Sequence, residues 1–566
     1  MCAKDLRPLS IVNGVGFRNF VHSLDPTYVV PSHTTMKNYT NYYYGSLKQT
    51  VATELQSQSS LAFTTDTWTS CATEGYLTLT AHFIDSMWQL RYYVLATIEV
   101  KDHHTGENLA NEIKCIVEDF GISNTPVSGI TTDNAANMVT MTTHLDWPHI
   151  RCFAHTLQLS VKAGLKIKEI SSAAAAARKL VGHFKRSSLA SNELKSRQRQ
   201  LDLPEHSLLQ DVPTRWNATY IMFERLIEQR LAIFAVLHNN TITSPSDARI
   251  LELPDQVWKV IEDLVPVLKP LQVATTTISG TSFPTLSMVY PIVIGLLKNH
   301  LNVQGEDSTV LVKFKEAVTK DLSSRFPKSD HDLATHHAVL TCALDPRYKS
   351  LKFMTDEQRN LVKSSIEKFD TQTEQVPVEP PVAVKSENTD NAESNKAEVN
   401  AMSFLLGDLV DLTGEEVDAE KSLVQEYEMF VRETAVKRNA DPLDWWKNKA
   451  DSYKKLAPIA KFFLCIPGTS VPSERVFSDT GNIVTKKRAS LDPDTVNQLV
   501  FLRSVLSSTK TKVDSAEESV LPDDKNSAST SALEVKQERA SEPPSPSKKE
   551  SLPPLPLLEP DNDEDD

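Results

Sequence analysis

Residues 457–503 read APIAKFFLCIPGTSVPSERVFSDTGNIVTKKRASLDPDTVNQLVFLR. The first part is a compact apolar run, Ile459 to Ile466, closed by Pro467-Gly468, the pattern of a short buried segment and a turn. Thr469 and Ser470 ahead of Pro472 mark a helix start, because proline is tolerated where the amide would lack an intrahelical partner anyway. Glu474 then falls in the first turn. Asp492-Pro493 starts a second helix in the same way. Along it Val496, Leu499, Val500, Leu502, Val505 and Leu506 cover more than one face. A single neighbour needs only a narrow stripe, so this width points to a helix packed in a core or across a subunit interface.

Near the start of the chain, three strand patterns follow one another: SLAFTTDTW (60–68), YLTLTAHFID (76–85) and LRYYVLATIEV (90–100). A helix is expected over Thr105 to Phe120, with Leu109, Ile113, Ile116, Val117 and Phe120 at helical spacing and Gly121 as its stop. VSGITTDNAANM (127–138) reads as a fourth strand, and HIRCFAHTLQLSVKAGL (149–165) as a strand passing into a helix. Three strands, a helix and a further strand open an RNase H-like fold, although pattern alone permits other α/β folds. Asp66 ends the first strand and Asp133 the fourth, each in a Thr-Thr-Asp context. If those strands are neighbours, both carboxylates meet at one sheet edge and Glu474 completes a set of three. A lone Asp after a strand is ordinarily a turn or helix-cap residue; the repeated context and the third acid are what turn the reading towards chemistry. Three such carboxylates suit hard divalent cations, Mg2+ or Mn2+, and two metals can activate the attacking and stabilise the leaving oxygen of a phosphodiester.

PSERVFS with the KKRASLDP and QLVFL elements resembles the C-terminal dimerisation region of hAT-superfamily transposases and of the host proteins descended from them, with the BED zinc-finger (ZBED-like) group most similar. The resemblance covers about residues 5–506 apart from one acidic segment. It implies an RNase H-like α/β domain interrupted by a large all-helical insertion and closed by the dimerisation helices, with Asp66, Asp133 and Glu474 as catalytic, metal-binding residues. It also implies that Cys152 and His155, in Cys-Phe-Ala-His, help to shape that site. Arg215-Trp216 resembles the family's Arg-Trp motif, where a guanidinium would hold a phosphate and an indole would stack on an unpaired base; a buried Trp with a surface Arg is the plain alternative. LDPRYK (344–349) and Trp445-Trp446 read as turn and packing residues.

The net charge of −14 is unevenly spread. Residues 371–420 hold 12 acids against 2 bases, and 507–566 hold 15 against 7, so the remainder carries +4 and leaves nucleic-acid binding open. The organisation expected is an N-terminal helical segment (1–58), the first part of the RNase H-like domain (59–165), a helical insertion (166–370), an acidic disordered insertion (371–420), the dimerisation region (421–506) and an acidic disordered tail (507–566). Residues 36–58 read as one helix with a Tyr-rich face, and Pro266 and Pro270 as breaks within the insertion. No BED finger is expected within this chain, since only Met1 to Lys4 precede a segment that resembles the stretch C-terminal to such a finger. Six scattered cysteines argue for reduced thiols in a cytosolic or nuclear protein. No signal peptide or membrane span is expected.

Lys486-Lys487-Arg488 is a candidate for DNA phosphates or nuclear import, and equally a solvated basic loop. Lys385 and Lys536 sit in hydrophobic-Lys-x-Glu patterns that fit SUMO attachment, and Ser545-Pro546 fits phosphorylation. The reading that unites these features is a nuclear homodimer acting on DNA or chromatin as a transcriptional regulator. The alternatives are an active cut-and-paste transposase and an interaction scaffold tied to SUMO machinery or transcription cofactors.

Overall fold

The structure is a computed structural model that describes residues 1–70, 73–212, 215–280, 283–369, 421–481 and 492–517. Met1–Lys512 forms one compact unit; of Val513–Asp566 only the last residues of one helix are described.

The sheet comes first. Strands β1 (Leu61–Thr69), β2 (Gly75–Ile84), β3 (Leu90–Glu99), β4 (Val127–Thr132) and β5 (His149–Arg151) lie in the order β3-β2-β1-β4-β5. The first three are antiparallel, and β1–β4 and β4–β5 are parallel. This is the RNase H-like α/β arrangement. The helices α1 (Val15–Leu24) and α2 (His33–Gln56) precede the sheet, and α3 (Gly106–Asp119), α4 (Ala136–Leu145) and α5 (Phe153–Leu165) fall among or after its strands. Thr105 caps α3 by accepting from Asn108 N, and Gly121, at φ +66°, ends it in a backbone conformation that suits glycine. The fourth strand is shorter than expected. It stops at Thr132, and a turn at Asp133–Ala135 starts α4, because Asp133 Oδ1 accepts from Ala135 N and ends the ladder.

The insertion contains α6 (Lys168–Arg186), α7 (Ser188–Gln200), α8 (Trp216–Glu228), α9 (Arg230–Leu237), α10 (Pro245–Leu251), α11 (Asp255–Ile278), α12 (Leu286–Gly295), α13 (Thr309–Ser324), α14 (Asp330–Thr335), α15 (His337–Ala343) and α16 (Asp356–Glu367). Pro266 and Pro270 do not break α11. Both lie away from its buried face, so the carbonyls they leave without a donor can take water, while Trp258, Ile261, Leu264, Leu268 and Leu271 hold the other side.

The closing region has α17 (Leu423–Arg432), α18 (Pro442–Lys449), α19 (Leu456–Leu464), α20 (Val471–Gly481) and α21 (Pro493–Glu517). α21 runs past residue 506 into the stretch that composition marks as tail. Its apolar width is taken up within this chain. Phe501, Leu502 and Val505 join the core between the sheet and α3 and α4, while Val496, Leu499 and Val500 pack with Leu6, Leu9 and Val476. The opposite sheet face, with Ala62 and Ile150, belongs with Phe153 of α5 to a second core continuous with the helical insertion and α19. Ser504 Oγ and Asn497 Oδ1 accept from Val94 N and Thr97 N on edge strand β3. Trp446 is fully buried and donates Nε1 to Leu344 O at 3.0 Å, so Trp445-Trp446 and LDPRYK are one packing unit. The described cysteines are free thiols, and no described helix is long and apolar enough to cross a membrane.

Candidate functional site

The β1–β4 ladder pairs Thr64 with Thr131. Asp66 stands two residues beyond Thr64, inside β1 rather than at its end, and Asp133 two residues beyond Thr131, just past the last residue of β4. The third acid arrives from far along the chain. The segment after α19 crosses this sheet end and is fastened there at several points. Thr131 Oγ1 donates to Pro467 O at 2.8 Å, and Gly468 O accepts from Phe153 N at 2.9 Å. Gly468 N donates to Thr285 Oγ1 of the helical insertion at 2.8 Å. A side chain at 468 would put its Cβ 3.2 Å from the Thr285 backbone, so glycine suits this close approach. Ser470 N donates to Cys152 Sγ at 3.4 Å, and the Ser473 and Thr64 hydroxyls lie 2.6 Å apart. Arg475 Nη2 reaches Ser279 O at 3.0 Å. Glu474 is thereby held over the strand ends.

The electrostatics show that the three acids share one neighbourhood. Burial, then the Glu474 and Asp133 charges, push the Asp66 carboxyl up to about 8. Burial also raises Glu474, with Asp133 acting in the same direction and Arg215 and His155 pulling the other way. Asp66 Oδ1 accepts from Thr67 N at 2.8 Å. Among the described residues no three His, Cys, Asp or Glu side chains stand close enough to hold a metal ion. The donors are of the hard-oxygen type that suits Mg2+ or Mn2+, and a cation would relieve the repulsion that adds to burial in lifting Asp66.

The remaining candidates divide. Cys152 is fully buried at the start of α5, its thiol pushed up to about 11 by burial, and it serves as an acceptor for the Glu474 segment. His155, one turn on, lies near enough to influence Glu474. Arg215 is exposed and also acts on Glu474, at the rim of the site. Trp216 is 2% exposed and begins α8, with its backbone N donating to Gln158 Oε1. Its indole therefore lies in the core of the helical insertion, where no base can stack on it. Lys486, Lys487, Arg488, Lys385, Lys536 and Ser545 lie outside the described residues. Spacing alone missed Thr64, Thr131, Ser470 and Ser473; the only signal was that Thr-Thr precedes both aspartates and that hydroxyls flank Pro472.

Comparison with known proteins agrees with this architecture. A family model described as the hAT family C-terminal dimerisation region matches residues 426–506. The ZBED1 RNase-like domain matches 64–151, and the ZBED1 RNase-like helical domain 150–265. The chain is similar to human zinc finger BED domain-containing protein 4, 30% identical over 89% of this chain and 42% of that protein. It is similar to the putative AC transposase of Zea mays, 25% identical over 87% of this chain and 62% of that protein. With the putative transcriptional regulator tpeD of Talaromyces stipitatus it shares 23% identity over 87% of this chain and 59% of that protein. The chain thus spans between 42% and 62% of these relatives' own lengths.

Proposed function

Because the chain belongs to the hAT-superfamily transposase-derived proteins, in their ZBED-like group, we propose that it works in the nucleus as a homodimer that acts on DNA or chromatin to regulate transcription. The observation that carries this reading is a dimerisation region built into the fold around the three acids. The dimerisation region packs on the sheet and brings the third acid to the other two, while Trp216 is committed to a core. A relative described as a putative transcriptional regulator matches over most of this chain, which supports the same reading.

The convergence of all three acids with Arg215 favours a second reading, a cut-and-paste transposase. Asp66, Asp133 and Glu474 would hold the divalent cation, which supplies Lewis-acid stabilisation of the phosphodiester oxygens. Arg215, exposed beside Glu474, would orient a phosphate oxygen by charge-assisted hydrogen bonds. Chromatin occupancy of the tagged full chain, measured beside its Asp66→Ala/Asp133→Ala variant, separates the two. The regulator reading expects specific sites, target transcripts that follow them, and both unchanged in the variant. Excision of a reporter flanked by candidate DNA ends by the wild type, abolished in the variant, would overturn it in favour of the enzyme.

A further inference from the structure

Thr64 and Thr131 are register partners on neighbouring parallel strands, so their side chains leave the sheet on the same face. Both are fully buried. A buried hydroxyl without a partner costs about 1–3 kcal/mol, and valine would fill a strand position of this shape without that penalty. Hydroxyls at these two positions therefore need a reason. Thr64 Oγ1 bonds to Thr80 Oγ1 on β2 and also reaches Ser473 Oγ, and Thr131 Oγ1 donates to Pro467 O, so both threonines touch the same distant segment. The second threonines of the two repeats make no such link: Thr65 Oγ1 has no partner, and Thr132 Oγ1 bonds to Asp133 O and to His149 Nε2 on β5. Ser473 directly precedes Glu474, and each linking threonine stands two residues before an aspartate in sequence.

We infer that Thr64 and Thr131 are positioning residues for Glu474. Together they index the start of α20 against the two aspartate strands, so the distance from the third carboxylate to the other two is set by the sheet's own register. The fastening stands by itself; its purpose rests on reading the three acids as a divalent-cation site.

The experiment uses the full chain with Thr64→Val, Thr131→Val and Ser473→Ala, and with Thr64→Ser and Thr131→Ser as conservative partners. Two quantities are read: amide hydrogen exchange across residues 467–476, and Mn2+ affinity by calorimetry. The valine variants should exchange faster in that segment and bind Mn2+ roughly ten-fold or more weakly, as loss of a supporting partner typically does. The serine variants should restore both. Thr64→Val and Ser473→Ala should be non-additive, since they remove the two ends of one bond; Ser473→Ala leaves the sheet untouched, so a folding defect in Thr64→Val does not remove the test. Unchanged exchange in the valine and alanine variants overturns the inference, and so does faster exchange with intact Mn2+ affinity. A wild type that binds no Mn2+ sinks the metal reading of the acids, and exchange alone then decides the fastening.

Discussion

His82 lies inside the sheet, with Nε2 2.8 Å from Thr80 Oγ1 and the ring stacked on Tyr92. Burial pushes its pKa down to about 3, so it stays neutral in the fold while the unfolded chain protonates below about 6.5. The folded pKa is the lower one, so this contribution to stability is fully present above pH 6.5 and drains as pH falls towards 3. His337, pushed down to about 4, adds in the same direction. The urea midpoint should fall between about pH 7.5 and 5, and His82→Asn should flatten that slope; an identical slope in the variant would rule His82 out as a source. A different kind of residue, Asp345, is fully buried, receives a forked pair of bonds from Arg347 and accepts from Ser287 Oγ at 2.7 Å. Asp345→Ala strands a buried guanidinium and should cost about 3–5 kcal/mol by denaturant titration. At this scale Asp66 and Asp133 were legible because chemistry repeated its context. Trp216 was not: Arg-Trp spells a motif, but which side of α8 faces the core depends on helices that the motif does not contain.

Among elements, α11 shows where local rules stop. Proline removes one amide donor and crowds the carbonyl four residues back, at a cost of about 3 kcal/mol in a helix interior. The pattern therefore reads as breaks at Pro266 and Pro270. The structure keeps one helix of 24 residues because seven buried side chains hold the opposite face. Pro266→Ala restores a donor for Glu262 O without touching those contacts, and should raise stability by about 1 kcal/mol. Urea unfolding would show it; a loss of stability would mean that the turn shape at Pro266 is required by its neighbours. The strands were legible from alternation and β-branched residues. α4 was hidden because its N-cap, Ala135, carries no capping side chain to mark the start.

For the whole molecule, the segment 371–420 separates two parts that remain bound across it. Phe369 meets Phe463 edge-on at 5.2 Å, Lys363 pairs with Glu428, and Trp446 reaches back to Leu344 O. Residues 1–370 and 421–512 expressed as two chains should copurify and melt in one transition. Separate elution of the two would show that the covalent link is required. The closure of the sheet by α20 and α21 was legible only through the resemblance at PSERVFS, since periodicity says that a helix is buried but not against what. For α21 it left a core and a subunit interface equally open, and the residues it names, except the half-buried Leu506, are buried within the same chain.

The side chains that cap β3 also set a clock. Val94 N and Thr97 N are answered by residues 410 and 400 positions later. At roughly 5–20 residues per second, a ribosome needs roughly 20–80 s to reach them after the strand emerges. During that interval the nascent sheet presents an unguarded edge to every neighbouring chain on the same message, and open edges recruit strands. A transcript that stops before Pro493 therefore does not yield a slightly shorter protein; it yields a sticky one, and α21 acts as the chain's own quality-control seal.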